Sequence, residues 1–170
     1  MRRRRFAAEA TSVQQAESVR EGIYVAFTSL SVVLILAAHA EPEPAQALFA
    51  ILVTGLGTVL AALTADVVAH LVVHDALFTR PEFRHACRSS LGALIVVVVP
   101  VALLLLASFG ALATSVALWG SAMALVASLV IVMAMAIRGT RLSPAKRALL
   151  LGAVGAGGLL VIGLQVLAHG

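Results

Sequence analysis

Three side chains at four-residue intervals interrupt the apolar run "LTADVVAHLVVHDAL" (63 to 77): Asp66, His70 and His74, with Asp75 directly behind. Residues spaced i and i+4 stack on one face of a helix. A carboxylate one turn from an imidazole therefore has the spacing of a proton relay, an ion path or a two-ligand metal contact. Asp66 to His74 covers about 12 Å of helix axis, so all three cannot converge on one ion. The pair Asp66 and His70 could chelate Zn or another divalent cation only with further ligands from another helix or subunit. A plainer arrangement is also open, in which Asp66 and His70 bond each other or Arg80, Arg84 and Arg88 at a membrane boundary, with His74 and Asp75 in water. Earlier in the chain, Thr54 and Thr58, with Thr28, Ser29 and Ser31, carry hydroxyls. These either bond to a preceding turn or neighbouring helix, or line a polar track toward Asp66.

Choosing among these depends on where the membrane lies. The chain has 170 residues, 61% hydrophobic and only 12% charged, against about 25% charged in a soluble domain. With a mean hydropathy of +1.06, it reads as an integral membrane protein. The net charge of +4 is modest, and the basic residues fall in short clusters between apolar runs, which argues for topology signals and against nucleic acid. Arginine outnumbers lysine heavily, Lys146 being the single lysine, as in a GC-rich bacterial gene. Cys87 is the lone cysteine, excluding an intrachain disulfide or a cysteine-rich metal site.

A helix needs about 20 apolar residues to cross hydrocarbon roughly 30 Å thick. Five stretches satisfy or approach this: 22–40, 45–73, 91–110, 112–137 and 148–168. They are too long for strands, and an open sheet cannot satisfy its backbone in lipid, so the fold class is all-α, a polytopic five-helix transmembrane bundle. "EPEP" (41 to 44) is a tight turn between the first two spans, while 74–90 and 138–147 are polar, basic connections. Placing Arg2, Arg3, Arg4 and Arg5 in the cytoplasm puts all 12 Lys and Arg on that side of a bacterial inner membrane and the C-terminus outside. Cys87 tests this orientation: a membrane-impermeant thiol reagent is expected to miss it in intact cells and to label it in inside-out vesicles, and labelling of sealed cells would overturn the assignment.

Residues 6–21 carry Phe6, Ala10, Val13, Ala16 and Val19 at helical spacing. Behind Arg2 to Arg5 they read as a short amphipathic segment on anionic inner-leaflet lipids, or as a solvated tail. "MRRRR" and "AHA" before Glu41 have features of a secretory signal. The long spacer with Glu9, Glu17 and Glu21, and the length of the apolar run, favour a retained first span.

In the last span Gly152, Gly155 and Gly158 share one side, a small face suited to close helix packing within the chain or in a homo-oligomer. Pro100, within the third span, removes a hydrogen bond to the Val96 carbonyl and is expected to kink that helix. There is no phosphate-binding loop, dinucleotide fingerprint, HExxH or nucleophile elbow, so neither an enzyme nor a cofactor is expected.

"VREGIY" at the start of the first span, "RLSPAKR" before the fifth and the ending "GLQVLAHG" resemble a family of small five-helix bacterial integral membrane proteins, over roughly residues 19–170. That resemblance implies the same membrane fold and carries no activity with it. Members tend to have an Ala-His pair late in the second span, where Ala65-Asp66 looks like the counterpart. A more distant architectural likeness is to the vacuolar iron transporter family, although its "DG" signature is absent from "EGIYVAFTSLSVV". Two functions follow: a small cation or proton transporter or channel using Asp66 and His70, or a non-catalytic accessory or scaffold subunit. For the first, Asp66→Asn should abolish flux and His74→Ala should leave it nearly unchanged.

Overall fold

A computed structural model describes residues 2–38, 43–137 and 143–169, with side chains from residue 17 onward except 162, 165, 166, 168 and 169. The side chains of Arg2 to Arg5, and residues 39–42 and 138–142, lie outside the described residues, so the start of the expected turn at 41–44 and the first half of the 138–147 connection do too. The described backbone is helical: α1 (Arg2–Ala37), α2 (Pro44–His74), α3 (Arg80–Gly92), a 3-10 segment (Ala93–Val97), α4 (Val98–Ser108), α5 (Thr114–Ile137) and α6 (Pro144–His169). Five segments are long and apolar enough to cross a membrane: Glu17–Ala37, Pro44–His74, Arg80–Ser108, Thr114–Ile137 and Pro144–Val161.

Local chemistry sets the helix ends. Pro44 occupies the first turn of α2, where its missing N–H costs nothing. At the other end Asp75 adopts the left-handed region, φ 50, with its N–H donated to the Leu71 carbonyl. Asp reaches that conformation more readily than most L-residues. α4 closes in a Schellman motif: Ala111 N–H donates to the Leu106 carbonyl and Gly110 N–H to that of Ala107, with Gly110 at φ +75.

Two elements differ from the sequence expectation. Residues 2–16 continue α1 without a break, so the amphipathic segment is not a separate element. Residues 80–90, read as connection, are helical, because the Glu82 carboxylate accepts hydrogen bonds from the Thr79 backbone N–H (2.8 Å) and hydroxyl (2.7 Å). This Thr-x-x-Glu arrangement, with Pro81 in the first turn, nucleates α3 ahead of the apolar run. The third span is then irregular at Ala93–Val97, just before Pro100. The proline ring crowds the carbonyl four residues back, at Val96, and the chain tightens there to 3-10 geometry.

α1 and α5 form the centre. α1 packs on α5, α2, α3, the 3-10 segment and α6, while α5 also contacts α4 and α6. Leu30, Ile51, Leu104, Leu118, Leu125 and Leu129 are fully buried between them. Outward, large apolar side chains are bare: Val72 is 79% exposed and Ile95 72%. Such a surface has its natural solvent in lipid. α6 is the loosest element, with only 6% of its apolar window buried.

The length of the third span gives an expected depth. Its 29 residues extend about 43 Å, some 13 Å or roughly 9 residues more than the hydrocarbon thickness. That excess matches the polar stretch 80–88, placing a boundary near Arg88. Ser18 bonds Ser89 across α1 and α3 (2.9 Å), which brings the same boundary to the neighbourhood of Glu17, the start of the first apolar span.

Candidate functional site

α1 and α2 run antiparallel, and two contacts fix their register: Arg20 with Asp66 and Thr28 with Thr58, each pair stepping eight residues in opposite directions (20 to 28, 66 to 58). α3 closes the same end. Where the three meet, Glu21 is buried to 1% exposure, just beyond the half-exposed Arg20. It begins a buried stripe at i+4 spacing, Glu21, Val25, Ser29 and Val33, all on the inward face of α1. By the register above it lies about one helical turn inside the boundary.

Ser90 of α3, also fully buried, is the side-chain hydroxyl that faces the Glu21 carboxyl. Yet neither carboxyl oxygen, nor the Ser90 hydroxyl, nor the Ser29 hydroxyl completes a hydrogen bond among the described residues. A buried polar group left unsatisfied costs about 1–3 kcal/mol, and more if charged. Arg20, Asp66 and Glu17 are the charges near enough to act on Glu21. The nearest cation is committed elsewhere, since the Arg20 guanidinium donates to Asp66 at 2.9 Å. With the two side chains 48% and 23% exposed, that pair contributes at most about 1 kcal/mol to stability. Its consequence is positional, because it holds the Arg20 guanidinium against α2 while its charge still acts on Glu21.

Below this point a cleft of about 740 Å³ opens at the basic end, lined among others by Glu17, Arg20, Asp66, His70, His74 and His85. The ladder of Asp66, His70 and His74 thus shares one face, but its members are engaged separately. Asp66 pairs with Arg20 and makes no hydrogen bond to His70 among the described residues. His70 packs its ring against His74 (centroids 4.5 Å apart) and Phe78 (4.3 Å). Among the described residues no group of three or more His, Cys, Asp or Glu is placed to hold a metal ion. The two-ligand contact considered for Asp66 and His70 therefore has no completing partner there. Ala69 lines the cleft beside His70.

Thr54 and Thr58 lie on the flank. Thr28 and Thr58 hydroxyls are 3.1 Å apart, and each also reaches back to its own helix, Thr28 to the Tyr24 carbonyl and Thr58 to that of Thr54, both 2.8 Å. With Tyr24 and Ala65 they line a groove of about 630 Å³ that is otherwise apolar. The Thr28–Thr58 contact ties α1 to α2, and the hydroxyls of those two threonines are satisfied internally. Pro100 is fully buried. Gly155 and Gly158 face α5, where an added Cβ would stand 3.8 Å from Val130 and 3.3 Å from Val126, while Gly152 faces open space.

Glu21 escaped the sequence reading because it was counted with Glu9 and Glu17 as part of the polar spacer. The available signal was its i+4 phase with Val25, Ser29 and Val33, which marks it as the first residue of the buried face.

Comparison with family models, curated proteins and solved structures returns no match. The site stands on its own geometry.

Proposed function

We propose that this integral membrane protein is a carrier for a proton or small cation, held with its basic end toward the cytoplasm of a bacterial inner membrane. The observation behind the reading is Glu21, a carboxyl 1% exposed with no hydrogen-bond partner among the described residues. Ionisable groups inside a membrane are costly and default to functional candidates. A buried carboxyl faced only by the Ser90 hydroxyl is stabilised by taking up a proton or cation, so the cost becomes a means of loading. The cleft lined by Asp66 and His70 supplies an approach from one end. Asp66 acts as a positioning residue by holding the Arg20 guanidinium on α2. Beyond Ser29 the core is closed by Leu30, Val33, Leu118 and Leu125, which favours an alternating-access carrier over an open pore.

A second reading, a non-catalytic accessory or scaffold subunit, draws on α6, whose apolar window is left almost wholly uncovered by its own chain. That face, including the open Gly152 side, suits a partner helix or a second copy.

Flux measurements in sealed vesicles separate the two. Folded wild-type protein is expected to carry protons or a monovalent or divalent cation down an imposed gradient, above protein-free vesicles. Asp66→Asn is expected to lose at least tenfold of that flux, because Arg20 is freed to pair with Glu21, while His74→Ala stays within about twofold. Absence of flux under every gradient, in protein shown to be folded, would remove the carrier reading and leave the accessory one.

A further inference from the structure

We infer that α3 carries a binding site for the headgroup of an anionic phospholipid, built by Arg80, Arg84 and Arg88. The three arginines recur at i, i+4 and i+8, one above another on a single helix face. With Pro81 and His85 they line a pocket of about 580 Å³ that contains no acidic residue. All three are exposed, and none is hydrogen-bonded or ion-paired among the described residues. The closest acid in sequence, Glu82, is occupied by its two bonds from Thr79. The site is therefore a cluster of cations with no internal counter-charge.

Depth identifies the ligand class. Residues 80–88 are the part of the third span in excess of the hydrocarbon thickness, so the cluster lies across the headgroup layer. Continuing along the same span, Leu91, Ile95, Val98 and Val99 are exposed at 55%, 72%, 54% and 51%. Leu91 follows Arg88 by one turn, and the exposed surface continues through the 3-10 segment at Ile95 to Val98. Cations for a phosphate thus stand directly over an apolar strip for an acyl chain, in the order the parts of a phospholipid occupy. Guanidinium groups bind phosphate oxygens in bidentate fashion, which makes three of them on one face more than a diffuse positive potential. A soluble phosphate would use the arginines and leave the apolar strip without a role. The inference does not depend on transport.

Native mass spectrometry of the full chain in a zwitterionic detergent, titrated with phosphatidylglycerol, phosphatidylcholine or inorganic phosphate, tests it. Phosphatidylglycerol is expected to bind at least tenfold more tightly than phosphatidylcholine and to resist displacement by millimolar inorganic phosphate. Arg84→Gln with Arg88→Gln is expected to lower phosphatidylglycerol affinity at least tenfold, with helical content unchanged. If that double variant does not fold, Arg84→Gln alone carries the test with an expected loss of at least threefold. Equal binding of the two lipids, or undiminished phosphatidylglycerol binding in the folded variant, overturns the site. Displacement by inorganic phosphate at equal affinity overturns the lipid assignment.

Discussion

Glu21→Gln is expected to cut ion flux at least tenfold while the protein stays as stable as the parent, and Glu21→Met is expected to be as inactive and more stable. Glutamine fills the same space but can neither release a proton nor bind a cation through charge. Because the native carboxyl completes no hydrogen bond among the described residues and the Ser90 hydroxyl that faces it can face an amide equally well, little is lost by replacing it. Methionine goes further by removing a buried, unsatisfied polar group, a gain of about 1–3 kcal/mol. For a chain of this size each 1 kcal/mol moves the thermal midpoint by roughly 2–4 °C. Most substitutions of fully buried residues destabilise, so a stabilising, inactivating change is distinctive of a site kept for function at the expense of stability. Undiminished flux in the glutamine variant would exclude Glu21 as the loading group. A lowered midpoint in the methionine variant would show that the carboxyl is holding helices together.

The second large effect is structural. Gly158→Leu is expected to destabilise the bundle by about 3 kcal/mol, because an added Cβ already stands 3.3 Å and 3.5 Å from the Val126 methyls and 3.7 Å from Leu129. The rest of a leucine side chain would have to push α6 away from α5. Gly152→Leu, on the same helix with nothing within 4 Å, should fall within about 0.5 kcal/mol of the parent. Thermal unfolding in detergent, with protease access to α6 as a second readout, separates the two. Equal stability of both variants would mean that α6 does not rest on α5 through Gly158.

Helix number and class were legible in the sequence because apolar length alone specifies them in lipid, where a backbone has few other ways to satisfy its hydrogen bonds. The start of α3 was hidden by composition. Arginines and prolines in "TRPEFRHACR" read as a loop, whereas the Thr79 and Glu82 bonds that initiate a helix depend on a spacing that composition does not register. Asp66 stood out in the sequence as an acid late in an apolar run, but its partner Arg20 lies 46 positions away, and nothing local specifies such a pairing. Glu21 was obscured for the opposite reason: its neighbours Arg20 and Glu17 are exposed or half-buried, and only the phase of the helix turns it inward. In membrane segments, the direction in which a charge faces carries as much information as its depth.

The unbroken course of α1 has a mechanical consequence. Some 15 residues of continuous helix precede the first apolar span, a rod about 22 Å long. A helix without a hinge transmits a sideways force along its length as a tilt, with the membrane boundary near Glu17 as the fulcrum. The arm on the far side of that fulcrum begins with Arg20 and Glu21, and the salt bridge to Asp66 lies nearest the pivot among its contacts with α2. Whatever grips the arginine-rich tip of this lever therefore has leverage over the buried carboxyl, although the two ends never touch.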